Sequence, residues 1–223
     1  VLGSINLFKA MVENNVKKIV FSSTAAIYGV PKEIPIKEIH PANPINVYGQ
    51  TKLIIEKILT SLDSTNNLKS AKLRYFNACG ASNDCVFGEI HNPETHLIPN
   101  ILKMKDLKIF GNNYPTKDGT CVRDYIDVED IAQAHFLALE YLDNNNSSIE
   151  CNLGSKNGYS VKEIINMCEK ITNKKIEYKI YPPREGDSAI LIADNSKAEE
   201  ILGWKPKIDI KESIKKAYKY QNS

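Results

Sequence analysis

Two hydrophobic periods alternate along the first 80 residues, and that alternation narrows the chain to one broad architecture. Ile5, Phe8, Met11 and Val12 share one stripe of a helix over residues 1–16, with Asn14 and Asn15 suited to its end. Lys17-Lys18-Ile19-Val20-Phe21-Ser22 then reads as a short buried strand stopping at Ser22-Ser23-Thr24. Pro31, Pro35, Pro41 and Pro44 keep residues 30–46 out of helix, since each lacks an N–H donor and fixes φ. Helical spacing resumes over 47–62, and Leu73-Arg74-Tyr75-Phe76 reads as the next strand. This order predicts an α/β fold with an open, mostly parallel sheet. Ligands bind such sheets beyond the carboxyl ends of the strands, so Ser22-Ser23-Thr24 and Tyr75-Phe76-Asn77-Ala78-Cys79-Gly80 are the first places to look.

Tyr48 and Lys52 lie four residues apart on the helix between those strand ends, so they share a face. An ammonium beside a phenol favours phenolate and lowers the phenol pKa, which suits a general acid/base. The same spacing also serves plain packing, with Lys extended along an aromatic ring. The strand-end hydroxyls have a structural reading as well, satisfying backbone groups where the strand stops.

Bulk composition excludes several functions. Net charge is +2, from 29 basic and 27 acidic residues spread along the chain, which leaves no electrostatic footprint for nucleic acid or an anionic membrane. Any bound anion must be met by a local site. Cys79, Cys85, Cys121, Cys151 and Cys168 are widely spaced with no metal-ligand pattern and read as reduced thiols of a cytoplasmic protein. No apolar run approaches the roughly 20 residues of a membrane span. With no initiator Met and a helix starting at once, the chain reads as beginning inside a domain.

Six stretches in order, Phe21-Ser-Ser-Thr-Ala-Ala-Ile-Tyr-Gly29, Tyr48-Gly-Gln-Thr-Lys52, Leu73-Arg-Tyr-Phe-Asn-Ala-Cys-Gly80, the run from Phe110 to Val128, Asn152-Leu-Gly154 and Pro183-Arg-Glu-Gly-Asp187, resemble the extended short-chain dehydrogenase/reductases, and within them the UDP-glucose 4-epimerases. The resemblance covers essentially the whole chain. It implies a Rossmann-like doubly wound parallel sheet with a smaller, interleaved substrate-binding α/β lobe. Residues 1–80 would belong to the NAD-binding domain, with about 120–155 returning to it, and 81–223 mainly to the UDP-sugar lobe. The cofactor implied is NAD, the partner a UDP-hexose, and the assembly a homodimer through the Tyr-bearing helix and the apolar face of residues 5–12.

The resemblance also assigns roles by position. Thr24 would hydrogen-bond the sugar hydroxyl being oxidised, Tyr48 would take its proton, and Lys52 would lower the phenol pKa and hold the nicotinamide ribose. Ser22, Tyr75 and Phe76 match cofactor-lining positions. Asn77, Arg123 and Arg184 match groups on the diphosphate. Thr95, His96 and Leu97 open a helix near the uridine, Lys108, Ile109 and Phe110 form a strand under the uracil, and Asp187 matches an acid on the uridine ribose. Read from the residues alone, Arg123 would pair with Asp124 or Asp127, and Arg184 with Glu185.

Three features depart from the family pattern. No G-x-G-x-x-G or shorter glycine fingerprint occurs, and Val1 aligns roughly one hundred residues into a family member, about one mononucleotide-binding half, so the chain reads as N-terminally truncated. Thr24 stands where Ser is common. Leu191 is intermediate between the large and small residues that bear on N-acetylhexosamine entry, so N-acetylhexosamine and uronate 4-epimerases, and a non-catalytic nucleotide-sugar binder, stay beside the hexose reading. Nucleotide-sugar 4,6-dehydratases need carboxylates directly after the strand-end Thr, where this chain has Ala25 and Ala26. Elsewhere, residues 128–144 read as a helix with Ile131, Ala134, His135 and Leu139 inward, His135 being a packing or surface residue, and Ser160-Val161-Lys162-Glu163 as a capping box.

Overall fold

The computed structural model describes residues 1–103 and 106–223. In chain order the elements are α1 (Leu2–Glu13), β1 (Lys18–Thr24), a 3₁₀ turn (Ala25–Ile27), α2 (Val47–Asn66), β2 (Lys69–Tyr75), β3 (Asn77–Cys79), α3 (Leu97–Lys103) and β4 (Leu107–Phe110). They continue with β5 (Val122–Asp127), α4 (Val128–Asn145), β6 (Ile149–Leu153), β7 (Gly158–Ser160), α5 (Val161–Thr172), β8 (Tyr178–Tyr181), β9 (Ile190–Leu191), α6 (Ser196–Leu202) and α7 (Ile210–Gln221).

β1, β2 and β6 form a parallel sheet in that order, with Ser22 opposite Leu73 and Leu73 opposite Cys151. Helices cover both faces, as a doubly wound fold requires. On one face Ile131, Ala134, Ala138 and Leu142 of α4, Ala198 and Leu202 of α6 and Trp204 just beyond it pack against Ala71, Leu73, Cys151 and Leu153. On the other, Phe8 and Met11 of α1 pack with Ile55 and Leu59 of α2. Because side chains alternate along a strand, β2 turns Lys72 and Arg74 to the α2 side, where Thr60 and Glu56 receive them.

β3, β5 and β7 form a second sheet, with β9 also on β5, and β4 pairs β8 in parallel. Their core is a separate cluster in which Ile98 and Ile101 of α3, Ile164 and Cys168 of α5 and Ile214 of α7 meet Ile109 and Tyr125. The capping box at α5 forms as read from the sequence. All five cysteines are free and buried, and no described helix is long and apolar enough to cross a membrane.

Three expectations are corrected. β1 is not fully buried: Ile19, Val20 and Phe21 are only partly buried, because among the described residues β2 alone pairs with it. Leu139 is exposed, and the inward stripe of α4 runs Ile131, Ala134, Ala138, Leu142, centred near Ala138, from which Leu139 is turned by about 100°. α2 runs one turn beyond residue 62, its polar end closing where Asn67 adopts a left-handed conformation.

Candidate active site

The helix bearing Tyr48 starts where Asn46 accepts a hydrogen bond from Gly49 N at 2.8 Å. Gly49 is the point of closest approach to the turn that follows β1: a Cβ there would lie 2.4 Å from the Ala26 carbonyl oxygen. That contact sets the Tyr48 phenol near Thr24, whose hydroxyl acts to lower the phenol pKa. Thr24 Oγ1 also accepts from Ala26 N at 3.2 Å, so the hydroxyl serves its backbone turn as well. Lys52 Nζ donates to the Ser22 carbonyl at 2.9 Å and stands 5.1 Å from the Phe21 ring centroid and 5.7 Å from that of Tyr48.

The electrostatics reverse one expectation. Burial pushes the Tyr48 phenol up, and the Thr24 hydroxyl offsets this only in part; burial likewise lowers the Lys52 ammonium. Both groups lose hydration, and Lys52 spends part of its charge on a carbonyl, so desolvation outweighs their mutual attraction.

Behind the strand end lies a buried polar relay that the sequence did not reveal. Ser23 Oγ donates to Glu56 Oε1 at 2.5 Å, and Glu56 receives Arg74 Nε at 3.0 Å and Nη2 at 2.7 Å. Arg74 Nη1 reaches Tyr28 Oη at 3.1 Å, and Tyr28 donates to Asn152 Oδ1 at 2.7 Å. Burial raises the Tyr28 phenol to about 12, so it stays a donor. Such a relay fixes the backbone on which Ser22 and Thr24 are mounted. His135 also reaches the site: its Nδ1 faces the Ile131 carbonyl, which can only accept, leaving Nε2 to accept from Ser22 Oγ at 2.9 Å in the neutral ring. Tyr75 lies tilted against His135, their ring centroids 6.4 Å apart. Phe76, read as cofactor-lining, instead has its side chain buried with Ala25, Ile27 and Leu53, because it follows the last strand pair and turns into the core.

The second group of sites converges on one cleft of about 580 Å³. Asn77, Thr95, His96, Leu97, Lys108, Ile109, Phe110, Arg123, Arg184 and Asp187 all line it; Thr24 and Tyr48 lie outside its lining. Arg184 stacks over Phe110, with the guanidinium carbon 4.0 Å from the ring centroid. Arg123 pairs with neither Asp124 nor Asp127: its Nη2 meets Asp187 Oδ1 at 2.5 Å, because those two nearer acids point into the fold. Asp124 holds Ser155 and the Ala193 N–H, and burial pushes its carboxyl up. Asn77 Nδ2 donates to the Asp124 carbonyl at 2.9 Å, which leaves its Oδ1 toward the cleft. The N–H groups of Thr95 and His96 are not open to an anion, since both donate to Glu94 Oε1 at 2.9 and 3.0 Å. Leu191 lies opposite Arg123 in the β5–β9 pair and packs on the Ala25–Ile27 cluster.

Asn100 and Tyr125 also line the cleft and escaped the sequence reading. Their signals were periodic: Asn100 is four residues after His96 on α3, and Tyr125 two after Arg123 on β5.

The donor set at Tyr48 fits the nicotinamide-ribose end of a dinucleotide. Lys52 uses one of its three N–H groups on Ser22, leaving donors for a ribose diol beside the Tyr48 hydroxyl.

Residues 1–217 match the family model described as GDP-mannose 4,6 dehydratase. UDP-glucose 4-epimerase of Lactobacillus helveticus is 49% identical over 229 residues, covering 100% of this chain and 69% of the relative. That of Lacticaseibacillus casei is 51% identical, covering 93% and 64%. The structure superimposes with a TM-score of 0.95 on UDP-glucose 4-epimerase from Stenotrophomonas maltophila with bound NAD and formylated UDP-arabinopyranose, at 40% identity over 99% of this chain and 68% of that one. The chain thus spans about two thirds of the length of the relatives it matches.

Proposed function

The chain belongs to the UDP-glucose 4-epimerase family of the extended short-chain dehydrogenase/reductases, and from that premise we propose that it carries the acid/base and nucleotide-sugar sites of an enzyme interconverting UDP-glucose and UDP-galactose. The observation that carries this reading is a phenol, a hydroxyl and an ammonium gathered at one strand end, beside a cleft bearing two arginines.

Thr24 orients the C4 hydroxyl of the sugar toward Tyr48, which takes its proton and, once the keto sugar has turned its other face, returns one to the C4 oxygen. Lys52 stabilises the phenolate and, with Tyr48, holds the nicotinamide ribose; Ser22 and Tyr75 frame that pocket, and Phe76 supports it from the core. NAD, when bound there, supplies a reversible two-electron oxidant for C4. Arg123, Arg184 and Asn77 hold the diphosphate about which the keto sugar turns, while Phe110, with Lys108 and Ile109, forms the floor under the base. Asp187 exchanges its ion pair with Arg123 for a ribose hydroxyl when the nucleotide enters. Thr95, His96 and Leu97 flank the uridine with their side chains, the backbone donors of Thr95 and His96 being capped by Glu94. Leu191, beside Arg123, bounds the space for the sugar's C2 substituent.

The residues after Thr24 argue for epimerisation over dehydration. Ala25 and Ala26 offer no proton to a leaving hydroxyl. In this reading residues 1–80, with about 120–155, carry the cofactor side and the remainder mainly the nucleotide-sugar side. The apolar groove between α1 and α2, lined by Ile5, Phe8, Val12, Ile58 and Leu62, is the contact for a second copy, giving a cytoplasmic homodimer.

Tyr48→Phe tests the assignment. It keeps the ring and deletes the acid/base, so formation of UDP-glucose from UDP-galactose by the full-length gene product should fall about 10²–10⁴-fold with the melting temperature unchanged. Undiminished turnover would remove Tyr48 from the mechanism.

A further inference from the structure

We propose that Glu89, His91, Glu94 and His96 form a site for a zinc-class divalent metal ion at the rim of the nucleotide-sugar cleft. One donor atom from each of these side chains lies within 4.8 Å of all the others. Glu89 Oε1 receives both imidazoles, His91 Nδ1 at 2.9 Å and His96 Nδ1 in a short contact, and the two rings meet edge to face with centroids 4.9 Å apart. Glu94 lies 3.7 Å from His91 Nδ1, and its side chain is only 5% exposed. It is held by the Thr95 and His96 N–H groups and by Lys103, so one ligand is fixed in advance.

Metal bonds of about 2.0–2.2 Å in a tetrahedron put neighbouring donors roughly 3.3–3.6 Å apart. Closing the cluster to that size takes about 1 Å of movement, and His91 and His96, at 49% and 57% exposure, are free to make it. Two imidazoles with two carboxylates suit zinc, cobalt(II) or nickel(II) better than calcium or magnesium, which take oxygen ligands. No thiol belongs to the cluster, and burial pushes up the thiols of Cys79, Cys151 and Cys168.

The position gives the ion a consequence. Glu94 and His96 line the nucleotide-sugar cleft, while Glu89, His91 and His96 line a neighbouring cavity of about 460 Å³ walled by Phe87 and Val128. A bound ion therefore clamps residues 89–96 between the two. Metal binding stands on coordination chemistry alone, independent of the epimerase reading.

Cobalt(II) titration of the untagged, chelator-treated full chain tests it. One equivalent should bind per chain with visible absorption of four- or five-coordinate strength. His91→Ala/His96→Ala should weaken binding more than tenfold without shifting the metal-free melt, Glu89→Gln should weaken it in the same direction, and His40→Ala should leave it intact. Absence of a stoichiometric band in the wild type, or an undiminished band in the double variant or in Glu89→Gln, would overturn the site.

Discussion

Gly49 exemplifies what a single residue decides here. Its missing Cβ lets α2 approach the Ala26 carbonyl, and that approach sets Tyr48 against Thr24. Gly49→Ala places a methyl 2.4 Å from a backbone oxygen that has no rotamer to escape through, so the helix start must move. Displacement of a reacting group by about 1 Å costs on the order of 100-fold in rate. We expect that loss in turnover by Gly49→Ala with the fold retained; a variant within threefold of wild type would show that the contact does not position the phenol. The Tyr–Lys spacing was legible in the sequence, but its electrostatics were not. Two residues at i, i+4 promise a Coulomb interaction, whereas the pKa also depends on how much water each has lost.

Among elements, the run from Asp118 to Thr120 does more than mark the family. Asp118 accepts from Thr120 N at 2.8 Å, Thr120 Oγ1 at 2.6 Å and Ser160 Oγ, joining the turn before β5 to the N-cap of α5. Burial would raise this carboxyl, but the bonds from Ser160 and Thr120 hold it below the ordinary 3.8. Its folded value therefore lies under the unfolded one, so the stabilisation is complete above that value and fades as pH falls through the folded value. Asp118→Asn should cost about 1–3 kcal/mol by urea denaturation near pH 7, and the gap from wild type should close as pH falls through the folded value. A gap that persists in acid would assign the loss to packing. Helix positions were readable because the 3.6-residue period repeats for several turns, as in α5 and α7. The short strands β3, β7 and β9, of two or three residues, carry no period to read.

Across the whole molecule, the two cores are joined through Asp127. It caps α4 at Glu129 N, accepts from Ser213 Oγ at 2.6 Å and pairs with Lys216 Nζ at 2.8 Å, bringing α7 onto the start of α4. Lys216 and Asp127 are both buried, and removing one partner of such a pair costs about 3–5 kcal/mol because the other charge stays unmatched. Lys216→Met should lower unfolding free energy by that amount, and a change under 1 kcal/mol would mean that the cores are held together elsewhere. Sequence by itself determined the α/β alternation and the strand ends that carry chemistry, because periodicity and local motifs are properties of neighbouring residues, whereas the residues that line the cleft were named only through the family resemblance. Only the tertiary structure decided that Arg123 pairs with Asp187, that Phe76 turns into the core, that Glu94 takes the Thr95 and His96 donors just before α3 and that Ser23, Glu56, Arg74 and Tyr28 form one relay. Most of those contacts join residues far apart in the chain, and all depend on which side chains lose water together, which no local pattern encodes.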